Sequence, residues 1–232
     1  MNASSLNMRQ SGFGMVEVLV TLIILLVGLL GLAGLMVQSQ RSEMESYQRV
    51  QALVLLQDMA GRINANRNVA QCYAFTTASL GTPFVGTPSG TSSLTLPPAC
   101  AATQASDPTQ FTLAQQTQFQ QDTAAWNTAL QGAAESSGGN ATGAMIGARG
   151  CVSYDGTNLL PEIDPQSGLP TGNTLPGTGI YTLSVAWQGM GDTYANTALL
   201  CGTGQYNNAQ GTGDEALRRV VSLTFRMAAL TK

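Results

Sequence analysis

Gly12-Phe13-Gly14-Met15-Val16-Glu17, followed by Val18 to Val37 without a single charge, is the stretch that decides the reading of this chain. The uncharged run is 20 residues long, interrupted only by Thr21 and by Gly28, Gly31 and Gly34. About 20 predominantly apolar residues match the hydrocarbon core of a bilayer. One carboxylate, Glu17, stands at its head. An ionised side chain beside hydrocarbon costs roughly 3 kcal/mol or more, so its default explanation is functional. A secretory signal peptide is cut after its apolar core, at small residues. Here Gln38-Ser39-Gln40-Arg41 follows the core, and the Gly-Phe junction precedes it. Arg9 is the single charge among the first twelve residues and favours a cytoplasmic N-terminus.

Gly12, Phe13 and Glu17 ahead of an apolar helix resemble the class III signal of type IV pilins and of type II secretion pseudopilins. The resemblance implies a leader peptide over 1–12, cut by a prepilin peptidase between Gly12 and Phe13, with N-methylation of Phe13. It also implies an assembly role for Glu17, whose carboxylate would neutralise the N-terminal amine of a neighbouring subunit. A buried charge left unpaired is costly, and a paired one much less so. The expected partners are the prepilin peptidase, other minor and major pilins, the inner-membrane assembly platform and, before assembly, membrane lipid. The expected location is the inner membrane, single pass with the head in the periplasm, and then the pilus on the cell surface.

The rest of the chain reads as a spine and a head. No proline occurs before Pro83, so a helix from Phe13 to about residue 65 is open, about 80 Å long. Residues 13–37 are its transmembrane or filament-core part, and 38–65 its amphipathic continuation. The continuation carries apolar residues at helical spacing: Met44, Tyr47, Val50 and Val54, widened by Leu53, Leu56, Met59, Ala60 and Ile63. This stripe is expected against the head. The three glycines loosen the helix, admit close neighbours, or are simply tolerated in a membrane segment.

The head spans 66–232. Pro83, Pro88, Pro97, Pro98 and Pro108 mark residues 76–110 as loop. Thr112 to Gln131 predicts a helix with Phe119, Thr123, Trp126 and Leu130 on one face. Tyr181 to Trp187 and Val221 to Met227 alternate apolar and polar residues, as half-buried strands do, and a shorter strand is expected near Cys151 to Tyr154. The fold class is therefore α+β, a long N-terminal helix packed on a small antiparallel sheet. Asp122, Trp126 and Leu130, and the order Cys151, Trp187, Cys201, Arg218-Arg219, resemble minor pilins of the V type.

Four cysteines, Cys72, Cys100, Cys151 and Cys201, all follow the apolar segment, which places them in an oxidising compartment for an N-in chain. Four cysteines allow three connectivities. Cys72–Cys100 with Cys151–Cys201 is expected, because each pair closes a loop within one half of the head.

Catalysis finds no support. There is no histidine for a Ser-His-Asp or Cys-His arrangement, no G-x-S-x-G and no GK[ST]. No cofactor and no metal is expected: Asp155, Asn158, Glu162 and Asp164 cluster in sequence but lack EF-hand spacing. The net charge of −3 does not suggest nucleic-acid binding. Arg218, Arg219, Arg226 and Lys232 form the only basic concentration in the head, read as a strand end facing solvent. The reading that follows is a minor pilin, a low-abundance subunit promoting type IV pilus assembly with twitching motility or adhesion. The alternative is a pseudopilin of a type II secretion system.

Overall fold

The computed structural model describes residues 14–86, 94, 113–132, 136–137, 140–141, 145–207 and 215–228. Two compact units result, one ending at Met44 and one beginning at Glu45. Helix α1 runs from Met15 to Ala65 and contributes to both.

In the first unit, the backbone N–H of Glu17 donates to Gly14 O at 2.9 Å and opens the helix. Thr21, the one hydroxyl of the uncharged run, donates to Val18 O at 2.9 Å. That bond satisfies it without any partner outside the helix. A Cβ added at Gly28, Gly31 or Gly34 would meet nothing within 4 Å, so no packing inside this chain calls for glycine there.

The second unit holds the core. A 3₁₀ segment (Arg67–Tyr73) follows α1, and α2 (Leu113–Leu130) comes next. Two short strands, β1 (Ser136–Ser137) and β2 (Asn140–Ala141), form a ribbon. Strands β3 (Ile146–Asp155), β6 (Ile180–Gln188) and β7 (Arg218–Arg226) make an antiparallel sheet in the order β3-β6-β7. Between β3 and β6 the chain forms a separate hairpin of β4 (Leu160–Ile163) and β5 (Pro170–Leu175). The expected α+β class is therefore the observed one. The strand expected near Cys151 to Tyr154 is ten residues long, the longest in the sheet.

Period-two alternation on β6 separates two layers. Tyr181, Leu183, Val185 and Trp187 join the main core with Leu56, Met59, Ile63, Trp126 and Leu130 of the helices. Ala186 turns the other way, onto Phe84, Cys151, Cys201 and Tyr206. A loop thus covers the second face, so the central strand is buried on both sides although its sequence alternates.

Helix α1 enters this core on a face that matches the expected stripe at Leu56, Met59, Ala60 and Ile63 and departs from it before them. Gln48, Ala52, Leu56, Met59, Ala60 and Ile63 are buried. Met44, Tyr47, Val50, Leu53 and Val54 are exposed. The helix is apolar on two opposite sides here, and apolarity alone does not select one. Polar anchors select it: Trp187 Nε1 donates to Gln48 Oε1 at 3.1 Å, and Arg219 to Glu45 Oε1 at 3.1 Å.

Helix α2 lies between α1 and β3. Trp126 is fully buried, and its Nε1 donates to Leu55 O at 2.9 Å. On the sheet side, a Cβ at Gly150 would fall 2.4 Å from the Trp126 ring and 2.7 Å from Leu130. Gly150 is the gap in β3 that admits the indole.

Cys151 and Cys201 are joined, with Cα atoms 5.9 Å apart and a sequence separation of 50. Cys72 is also disulfide-bonded, and Cys100, its expected partner, lies outside the described residues. A cross-link closing a loop of this size removes about 4 kcal/mol of unfolded-chain entropy. Replacing Cys151 and Cys201 together by serine is expected to lower unfolding stability by about that amount, read as a shift of the urea midpoint. An unchanged midpoint would show that the bond is dispensable.

Candidate functional site

The first candidate is the N-terminal segment. Gly12 and Phe13 lie outside the described residues. Glu17 sits in the first turn of α1, where the exposed N–H groups and the helix dipole favour a negative charge. It is the sole ionisable side chain from Gly14 to Gln40. Beyond it the large side chains of the run, from Val18 to Val37, all stand exposed. Among the described residues this is the one helix long and apolar enough to cross a membrane. A helix apolar on every side requires lipid or other helices around it. The arrangement can therefore do two things: lie in hydrocarbon, and offer one carboxylate at a fixed depth to a cation on another molecule.

The second candidate is a buried polar cluster in the head. The Asp122 carboxylate accepts hydrogen bonds from Tyr73 Oη at 2.6 Å, Gln118 Nε2 at 3.0 Å and Arg62 at 3.2 Å. Asn66 Nδ2 donates to Tyr73 Oη at 3.0 Å. Burial, together with the bond to Asp122, pushes the Tyr73 phenol well above its ordinary range. Arg62 also pairs with Asp58, which holds its guanidinium in the charged form. The cluster borders an open cleft of about 670 Å³ between α1 and α2. Its charges are satisfied by one another, so it ties together α1, the 3₁₀ segment and α2. The Asp122, Trp126, Leu130 spacing is thus a set of packing anchors: all three are buried, Asp122 bonded to Tyr73 and Arg62, and Trp126 and Leu130 both against Gly150 of β3. Asp122→Asn is expected to cost about 1–3 kcal/mol, because an amide N–H₂ would face one of three donors. A thermal melt would read the loss, and an unaltered melting temperature would contradict it.

The basic concentration does not form one solvent-facing patch. Arg218 is 3% exposed and pairs with Glu215 at 2.7 Å. Its guanidinium also donates to Leu199 O and to Asn196 O, so it pins the covering loop. Arg219 is committed to Glu45, Gly191 O and Thr193 Oγ1. Arg226 alone matches the expectation of an exposed strand end, and Lys232 lies outside the described residues.

Arg149 was not singled out by the sequence. It is buried in β3, with its guanidinium carbon 5.2 Å from the Phe84 ring centre and 4.7 Å from that of Tyr206. Its nitrogens donate to Gly147 O and Gln205 Oε1. Tyr206, mainly through burial, is pushed up to about 12. The partners are separated by 56 positions or more from Arg149 in three of these contacts, so no local spacing announces them.

The acidic residues of the β4–β5 region close turns. Asp155 accepts from Thr157 and Asp164 from Gln166 and Ser167, which lowers both carboxyls. Glu162 accepts from Thr171 and Asn173. Among the described residues no group of three or more acidic or cysteine side chains is placed to hold a metal ion.

A family model described as the prokaryotic N-terminal methylation motif matches residues 7–33. No curated protein and no solved structure matches the chain. The matched stretch contains Gly12, Phe13, Glu17 and the first part of the apolar run. It supports a prepilin-type chain, a pilin or pseudopilin, and implies processing by a prepilin peptidase and assembly with other pilins.

Proposed function

We propose that the chain is a minor pilin, a low-abundance structural subunit that promotes type IV pilus assembly and the twitching or adhesion that depends on it. The observation that carries this reading is the single carboxylate of Glu17 heading an uncharged, exposed apolar helix whose first part lies inside a methylation motif over residues 7–33. The leader, 1–12, is removed between Gly12 and Phe13, and the new amine of Phe13 is methylated. Residues 13–37 hold the protein in the inner membrane, with 38–65 and the head of 66–232 on the periplasmic side. During assembly the amine at Phe13 and the carboxylate of Glu17 pair between subunits, and neighbouring helices replace lipid around Val18 to Val37.

Two features of the head support the V-type assignment. Asp122, Trp126 and Leu130 are buried anchors of α2, and Cys151, Trp187, Cys201 and Arg218 surround the two faces of β6. A clean deletion in the native host, complemented by the wild-type chain and scored for surface pili and exported enzymes in parallel, tests the reading. Loss of pili with normal secretion is expected. Loss of secretion with normal pili would overturn it in favour of a type II pseudopilin.

A further inference from the structure

Strand β7 forms one side of the three-stranded sheet, and its outer edge is open. Its pairing with β6 runs without a register shift from Ile180 opposite Arg226 to Gln188 opposite Arg218. Among the described residues, the backbone from Arg219 to Arg226 pairs with β6 alone. In an antiparallel pair, every second residue of an edge strand turns its N–H and C=O outward. Strand β7 therefore presents a row of unpaired donors and acceptors. The other side of the sheet is closed by the chain itself. Val85 and Gly150 of β3 exchange backbone bonds at 2.9 and 2.8 Å, and the Thr76 N–H donates to Val152 O at 2.8 Å.

The side chains of β7 are incomplete in the same direction. Leu223 stands opposite Leu183, and Phe225 opposite Tyr181, on whose ring it stacks at 5.5 Å. Leu183 and Tyr181 are fully buried, whereas Leu223 and Phe225 are only half-buried. Exposed edges are ordinarily guarded by a charge, a proline or a bulge within the strand. Val220-Val221-Ser222-Leu223-Thr224-Phe225 has none of these. An uncharged run of this kind, without proline or glycine, pairs readily with another strand.

Charge stands only at the ends of the run. Arg219 is committed to Glu45. Arg226 is exposed, donates to Asn158 O at 2.9 Å and has no carboxylate partner among the described residues. A second copy fits this edge poorly. Antiparallel pairing of two β7 strands about Ser222 sets Arg226 opposite Arg218 at both ends, and like charges directly opposite destabilise a pair.

A strand edge recognises an extended peptide through its main chain. We propose that β7 is a docking edge for an extended strand of a different protein chain. That strand adds a fourth member to the sheet, covers Leu223 and Phe225, and brings a carboxylate to Arg226. That the other chain is a pilus subunit rests on the function proposed above; the strand pairing does not.

The test uses the full chain in its native host, with p-benzoylphenylalanine in place of Ser222 or of Thr224, both exposed. The same group in place of Thr171, exposed on the β4–β5 hairpin, is the control. Ultraviolet cross-links are mapped to single residues by mass spectrometry. Ser222 and Thr224 are expected to link to one stretch of a different protein, at points two residues apart, with Thr171 not linked to that stretch. Links from both positions to a single point would mean a contact that is not a strand, and would overturn the proposal. So would links to β7 of a second copy, links to another segment of the same chain, or no link from either position. If the captured strand belongs to a secretion machine and not to a pilus, the docking edge stands and the pilus function falls. Amide hydrogen exchange on the wild-type chain in detergent micelles reads the edge without any substitution. Every second amide from Val220 to Phe225 is expected to exchange fast, and uniform protection of these amides would overturn the open edge.

Discussion

Glu17→Ala is expected to leave removal of the leader intact while stripping the subunit from assembled filaments. The change is far enough from the Gly12–Phe13 bond to spare the peptidase. It removes the one charge between Gly14 and Gln40. In the membrane this relieves a cost, so insertion should not suffer. In a filament it leaves the Phe13 amine of a neighbour buried without a partner, at about 3–5 kcal/mol. Since about 1.4 kcal/mol is a tenfold change, incorporation should fall by at least about tenfold. The ratio of processed protein in sheared filaments to that in membranes measures it. Wild-type incorporation of the alanine variant would sink the pairing mechanism.

The second large effect belongs to the head. Trp126→Ala should cost about 3–5 kcal/mol, the range for emptying a fully buried aromatic site. The loss falls on three elements at once, because the indole touches Gly150 of β3, hydrogen-bonds Leu55 of α1 and belongs to α2. For a unit of this size the melting temperature should drop on the order of 10 °C. Trp126→Phe keeps most of the volume and gives up the bond to Leu55 O, so it should lie between the two. Circular dichroism melts would discriminate them, and an alanine variant as stable as wild type would mean that α2 is not part of the core.

How much of this was legible depended on whether the deciding interaction is local. Helix α2 was expected over 112–131 and runs from Leu113 to Leu130, because Phe119, Thr123, Trp126 and Leu130 mark its buried face within one stretch. Strands β6 and β7 were readable for the same reason. Strand β3 was foreseen as shorter than it is, since Gly147, Ala148 and Gly150 blur the alternation. Gly150 is there to make room for Trp126, a residue 24 positions away. The first half of the α1 stripe was misjudged, while Leu56, Met59, Ala60 and Ile63 were placed correctly, because Gln48, polar in sequence, owes its inward position to Trp187, 139 residues later, and Glu45 is held by Arg219, 174 residues later. Arg218 and Arg149 carried no sequence signal of burial, since backbone carbonyls and rings of distant loops surround them. The β4–β5 hairpin, Leu-Pro-Glu-Ile paired with Pro-Thr-Gly-Asn-Thr-Leu, has no fully buried residue and few apolar ones, so no period-two pattern announced it. Glu17, by contrast, stands out through composition alone, because nothing near it in the chain is charged.

The bond between Cys151 and Cys201 also bears on what happens under load. For the pilus subunit proposed above, load would arrive through α1, and the response of a folded domain to tension depends on how much chain can pay out before the next restraint. With the cross-link in place, the 50-residue separation between these cysteines cannot lengthen. Fully extended, that chain would span about 170 Å. Strand β6 and the whole β4–β5 hairpin lie inside the withheld length. The domain is therefore mechanically shortened: those 50 positions are withheld, and only the chain outside the loop is free to extend.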